Sequence, residues 1–178
     1  MTAAWNKRRD LAVSILIAEL AGVVGSVYTA SSIPAWYAGL EKPWWTPPNW
    51  IFGPVWIALY ALMGFSAYLV WEVRHRKKEA EGALLFYGVH LFLSSLWSLI
   101  FFGLQNIGLA LIEIFFLWLL IIYVMILFFR VERAAGWVFV PYLIWVSFAM
   151  ALNYSLVSMQ ICNSSSLFNC LSPLLGIK

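Results

Sequence analysis

The sequence predicts an all-α membrane protein, a five-transmembrane-helix bundle with a Trp/Pro-rich first loop acting as a lid. Three observations carry that prediction. Of 178 residues, 63% are hydrophobic and 11% charged, with a mean hydropathy of +0.86; a soluble domain is about 45–50% apolar and about 25% charged. Apolar runs of the ~20 residues needed to cross a ~30 Å hydrocarbon core recur five times. Basic residues gather between those runs, on one face of the implied bundle. The runs are too long for buried strands and lack the alternation of a transmembrane barrel.

The first span is expected at 11–30. Lys7, Arg8 and Arg9 precede it, and Tyr28-Thr29-Ala30-Ser31 offers small residues for cleavage. The run exceeds the 7–15 residues of a secretory h-region, so it reads as a retained helix. The others are expected at 51–73, 83–102, 107–129 and 136–159, all within one transmembrane domain over 1–159. The stretch 160–178 is left as a C-terminal tail, expected to be disordered.

With five spans, the N-terminus and the second and fourth loops share a face. That face carries Lys7, Arg8, Arg9, Arg74, Arg76, Lys77, Lys78, Arg130 and Arg133, against Lys42 and Lys178 opposite. The asymmetry places the basic face on the side of synthesis, with the first loop and the C-terminus across the membrane. The formal net charge of +3 then reflects topology and is no nucleic-acid footprint. Cys162 and Cys170 fall in the tail, where they could pair on an oxidising face, and Asn163-Ser164-Ser165 matches a glycosylation acceptor.

The first loop, 31–50, holds four of the eleven tryptophans, along with Tyr37 and four prolines that stiffen it. One reading is an interfacial belt, because Trp and Tyr favour the headgroup level. The other, favoured because the aromatics crowd a single loop on a single face, is an ordered lid over the mouth of the bundle. Thr46 is expected to cap the second helix, with Pro47 in its first turn and Pro54 further in.

Small residues at Ser14, Ala18 and Gly22, beside Ala21 and Gly25, suit close helix packing in lipid. Residues four apart share a helix face. Such spacing joins Trp56, Tyr60 and Gly64 on helix two. It joins His90, Ser94 and Trp97 on helix three, and Pro141, Trp145, Ala149 and Asn153 on helix five, where Ser147, Ala151 and Ser155 make a second face. The three aromatic stripes suit a cavity for a flat, mostly apolar ligand, or equally ordinary interhelical packing. Glu19, His90 and Glu113 are intramembrane ionisable residues and so functional candidates. No metal site, nucleophile–base pair, phosphate loop or cofactor motif is legible.

Trp36-Tyr37-x-x-Leu40-x-Lys42-Pro43-x-Trp45-x-Pro47-Pro48-x-Trp50, then Gly53-Pro54-Val55-Trp56-x-x-Leu59-Tyr60-x-x-Met63-Gly64, resembles the translocator protein family, also called tryptophan-rich sensory proteins. Leu69-Val70-Trp71, Phe101-Phe102-Gly103 and Pro141-Tyr142-Leu143-x-Trp145-x-x-Phe148-x-x-x-Leu152-Asn153-Tyr154 extend the resemblance to most of the chain. It implies a pocket open towards the first loop, which closes over it. It also implies ligands such as porphyrin-like tetrapyrroles (protoporphyrin IX, haem), sterols and benzodiazepine-like molecules. By motif, the pocket residues are Trp56, Tyr60, Trp97, Trp145 and Ala149, with Ser94 standing where the family has an asparagine. Trp36, Tyr37, Lys42, Pro43, Trp45, Pro47, Pro48 and Trp50 would form the lid. Leu85 and Val89 replace the family's dimer glycines, which leaves a homodimer open. The sterol pattern lacks its basic residue after Tyr154. The leading reading is a receptor or carrier contacting lipid and a porphyrin-like or other flat apolar molecule. The alternatives are a light-dependent porphyrin-degrading enzyme acting through Trp56 and Trp145, and a small-molecule exporter.

Overall fold

A computed structural model describes residues 2–164, with side chains from Asn6 to Ile161. The side chains of Cys162 and Asn163, like Cys170 and the rest of the tail beyond Ser164, lie outside the described residues. Those residues form five helices, each long and apolar enough to cross a membrane. They are α1 (Thr2–Ser32), α2 (Asn49–Glu72), α3 (Glu79–Ser98, extended by a π-helical turn Leu99–Gly103), α4 (Ile107–Val131) and α5 (Arg133–Ser164).

Helices α1 and α5 outrun the apolar spans. Nothing in Thr2–Asp10 breaks a helix, so α1 continues out of its apolar run, and Lys7 ties its start to Glu72 at the end of α2 (2.8 Å). At the other extreme α5 passes residue 159 and takes up the first five residues assigned to the tail.

The start of α2 differs from expectation. Its N-cap is Pro48, and Thr46 donates its hydroxyl to the Pro43 carbonyl (2.8 Å) instead of capping. A residue preceding proline is pushed out of the α region. Thr46 precedes Pro47 and Pro47 precedes Pro48, so both are biased away from the helical conformation and α2 begins after them. Pro54, by contrast, sits inside α2.

Helix α1 packs on α2 and α3, α2 also on α5, and α4 bridges α5 and α3, so the ring runs 1-2-5-4-3. The small-residue face of α1 makes the closest approach. Ser14 donates to the Gly64 carbonyl (2.7 Å), and a Cβ at Gly64 would stand 2.5 Å from the Ile15 Cα. Ser95 reaches across to the Ala21 carbonyl (2.8 Å). Hydroxyls that bond backbone carbonyls of a neighbouring helix serve as glue where no water competes. At the basic end, Ser66 bonds the Ala135 carbonyl (2.8 Å) and Lys77 bonds the Val131 carbonyl.

Along its length the bundle divides in two. The half towards the basic face is solid, filled by Met63, Val70, Tyr87, His90, Val124, Phe128, Phe139 and Tyr142, most of them fully buried. The half beneath the first loop is hollow.

Candidate functional site

The hollow half encloses a cavity of about 410 Å³ walled by α1, α2, α3 and α5, with no residue from α4. That volume lies within the range of small-molecule sites. Its deepest residues are Glu19 on α1, Tyr60 on α2, Ser94 on α3 and Trp145 on α5; Ile33, Tyr37 and Asn49 stand at the loop end.

All six residues singled out as ligand-binding, Trp56, Tyr60, Ser94, Trp97, Trp145 and Ala149, line this one cavity. On α2 the four-residue spacing sets the Trp56 and Tyr60 rings side by side (centroids 5.8 Å), and the Tyr60 hydroxyl meets Ser94 Oγ (3.0 Å). On α3 the Trp97 ring stacks on Phe101 (4.9 Å). The π-helical turn sets Phe101 and Phe102 both on the cavity wall. There the Leu104 amide bonds the Leu99 carbonyl (2.8 Å), five residues back, and the Phe102 carbonyl takes the Ser32 hydroxyl (2.8 Å). Such bulges in helices often mark functional sites. Gln105 follows at φ 53°, and Asn106 caps α4 by accepting from the Leu109 amide (2.9 Å). On α5, Trp145 lies edge-on to Phe52 (6.0 Å) and Asn153 donates to the Ile107 carbonyl (3.0 Å).

Three residues of the predicted stripes stand apart: Pro141, which is exposed and does not line the cavity, and His90 and Gly64. His90 is fully buried in the solid half, where its Nε2 and the Tyr142 hydroxyl are 2.9 Å apart. Gly64 is consumed by the contact with α1. Both share a helix face with cavity residues but lie one turn or more too deep. Glu113 is on α4, outside the cavity, and its carboxyl oxygens have no hydrogen-bond partner.

The first loop packs over the cavity with part of its aromatic surface. Tyr37, in a 3-10 turn (Tyr37–Gly39), lines it directly, and burial pushes its phenol up from the ordinary tyrosine range. Trp36 lies edge-on to Phe101 (5.6 Å), and Trp45 to Phe148 (5.6 Å). Lys42 caps the Leu40 carbonyl (2.9 Å) with its ammonium over the Tyr37 ring (4.7 Å), which holds the turn together. Pro43 receives Thr46, and Pro47 and Pro48 lead into α2. Trp50 departs from the lid expectation: it opens α2 and is 74% exposed, with Trp44 at 95%. These two are placed as belt residues are, so one loop combines both of the arrangements its aromatics allow.

On α1, Glu19, already a candidate as an intramembrane ionisable residue, lines the cavity, but the rest of that wall escaped the sequence reading. Val23, Ser26, Thr29 and Ala30 line it too, although their small or aliphatic side chains suit packing or lipid contact. Val23, Ser26, Ala30, Gly53 and Ile57 are at once cavity-lining and exposed on the outside of the bundle. The cavity therefore meets the lipid-facing surface along the α1–α2 seam. Chemically the lining is ring-rich and mostly apolar. Trp97 Nε1, Trp145 Nε1 and Asn153 Oδ1 are buried without a hydrogen-bond partner, two donors and one acceptor on cavity-lining residues. Buried polar groups are normally satisfied, and these three stand unpartnered within residues of the cavity wall.

Residues 14–159 match the TspO/MBR family. The chain is 41% identical to the Tryptophan-rich protein TspO of Archaeoglobus fulgidus over 82% of its own length and 94% of the relative's. It is 38% identical to Protein CrtK of Rhodobacter capsulatus over 81% and 88% of the two chains, and 36% identical to the Translocator protein of Bos taurus over 78% and 83%. With the five-helix architecture and motif order already described, this multi-pass membrane protein belongs to the TspO/MBR family.

Proposed function

We propose that the protein is a membrane receptor or carrier that takes a flat, mostly apolar, porphyrin-like molecule into the cavity beneath its first loop. The observation that carries this reading is the convergence of Trp56, Tyr60, Trp97 and Trp145, from three different helices, on one ring-lined cavity with unpartnered indole N–H groups. A flat aromatic ring system fills such a space by stacking and edge contacts. The exposed α1–α2 seam favours entry from the bilayer, where an apolar ligand concentrates. The excess of basic residues at the solid end supports a topology with that end on the side of synthesis and the loop end opposite.

Titration of the purified protein with protoporphyrin IX, followed by tryptophan fluorescence, tests the reading. Saturable quenching is expected, weakened about tenfold or more in Trp56→Ala and Trp145→Ala, because each truncation removes a large aromatic contact. Absence of saturable quenching, or titrations of both variants indistinguishable from wild type, would overturn it.

A further inference from the structure

Among the described residues that line the cavity, Glu19 is the only Asp, Glu, Lys, Arg or His. It lies on α1 about 17 Å along the helix from Ala30, and so at the inner end, well away from the loop. One turn further on is Gly22, whose missing side chain lets the Tyr60 ring approach to where a Cβ would be 2.6 Å away. Beyond that ring, the Tyr60 hydroxyl is taken up by Ser94 (3.0 Å). Glu19 itself has neither hydrogen bond nor ion pair, and no basic side chain lines the cavity to neutralise it. Lys42, the basic side chain of the first loop, is engaged with the Ala38 and Leu40 carbonyls and the Tyr37 ring. An ionisable side chain inside a membrane is costly and needs a partner. Here a partner can come from what enters the cavity.

We propose that Glu19 is a specificity-determining residue of the cavity, selecting flat ligands that bring an ammonium or N–H donor to its inner end. A ligand carboxylate brought to the same place meets a like group and no cation, so ligands with acidic edges are turned with those edges towards the mouth at Tyr37 and Asn49. This inference rests on the reading of the cavity as a ligand site. It adds a charge preference that the aromatic lining alone would not produce.

The test uses one ring system in three forms: protoporphyrin IX, its uncharged dimethyl ester, and its bis(aminoethyl)amide, which is cationic at neutral pH. Each is titrated against the full-length protein in the same lipid nanodiscs, and affinities are compared as ratios, so that partitioning into lipid cancels between variants. Wild type is expected to prefer the amine form over the ester by about tenfold, the scale of one charge-assisted hydrogen bond. Glu19→Gln should erase that preference and tighten the dicarboxylate. Glu19→Asp should keep the preference, and it preserves the test if the amide variant fails to fold. Trp145→Ala should weaken all three forms in parallel. An amine-to-ester ratio unchanged in Glu19→Gln, with Trp145→Ala still weakening all three, would overturn the role of Glu19 and leave the cavity standing. Failure of every form to bind wild type saturably would overturn both.

Discussion

Gly64→Val is expected to be among the most destabilising single substitutions in the bundle, lowering stability by about 3 kcal/mol. An added Cβ would lie 2.5 Å from the Ile15 Cα, 2.9 Å from the Ser14 carbonyl oxygen and 3.0 Å from the Ile15 amide nitrogen. All three are backbone atoms, so no rotamer change relieves the clash and α1 must move away from α2. Moving it also breaks the Ser14 bond to the Gly64 carbonyl, leaving a carbonyl oxygen without that partner in an environment without water. Thermal unfolding of detergent-solubilised protein, followed by helical circular dichroism, would register the loss as a lower midpoint. Gly88→Ala is the control: a Cβ there meets nothing within 4 Å, and alanine has the better helix propensity. Its midpoint should hold or rise. Equal midpoints for the two variants would mean that the α1–α2 contact is not as described.

Gly22→Ala should impair ligand binding more than it impairs the fold. The added methyl carbon would stand 2.6 Å from Cδ2 and Cε2 of the Tyr60 ring. The ring can yield, unlike the backbone at Gly64, but it is held at its far end by Ser94 and flanked by Trp56. Displaced from α1, it swings into the space it now lines and loses the Ser94 bond. Affinity for protoporphyrin IX should fall about tenfold, or ~1.4 kcal/mol, with the unfolding midpoint much closer to wild type than that of Gly64→Val. In a Tyr60→Leu background, which removes the offending ring, Gly22→Ala should cost much less affinity than it does in wild type. An equal cost in both backgrounds would place the defect in helix packing and not in the cavity.

These two glycines show how much of the molecule was legible beforehand. Gly22 lies in the small-residue stripe that predicts close helix packing, whereas Gly64 lies in the aromatic stripe that suits a cavity or ordinary packing; both are at close contacts. Apolar runs of the required length revealed the five helices, because the bilayer imposes length and composition together. The four-residue spacing of Trp56 with Tyr60 and of Trp145 with Ala149 placed each pair on one helix face, and those faces meet at the cavity. Spacing carries no information on depth, however. His90 and Gly64 share their stripes with cavity residues yet fall in the solid half. The start of α2 departs from the expected cap although its cause is local: two successive prolines disfavour the α conformation at the residues before them. Phe102 was invisible as a wall residue because a π-helical turn shifts the helical phase, and the phase of a sequence stripe assumes none. Val23 and Ser26 were missed for the opposite reason: a helix that faces lipid on one side and a cavity on the other is apolar or small on both.

The tryptophans of the first loop make the same point at finer scale. Trp44 and Trp45 are neighbours of identical type, yet Trp45 packs on Phe148 while Trp44 is 95% exposed. Composition identified the loop as aromatic; only the turn closed by Thr46 on Pro43 decides which ring turns inward.

If the ligand resides in the hollow half of the bundle, between α1, α2, α3 and α5, an experimental structure of the protein saturated with protoporphyrin IX will show ring density beneath Tyr37, against the Trp97 and Trp145 indoles, with Tyr60 and Ser94 below it. Density instead in the shallow apolar groove between α4 and α5, lined by Leu111, Phe115, Met150 and Tyr154, with the cavity unoccupied, would contradict it.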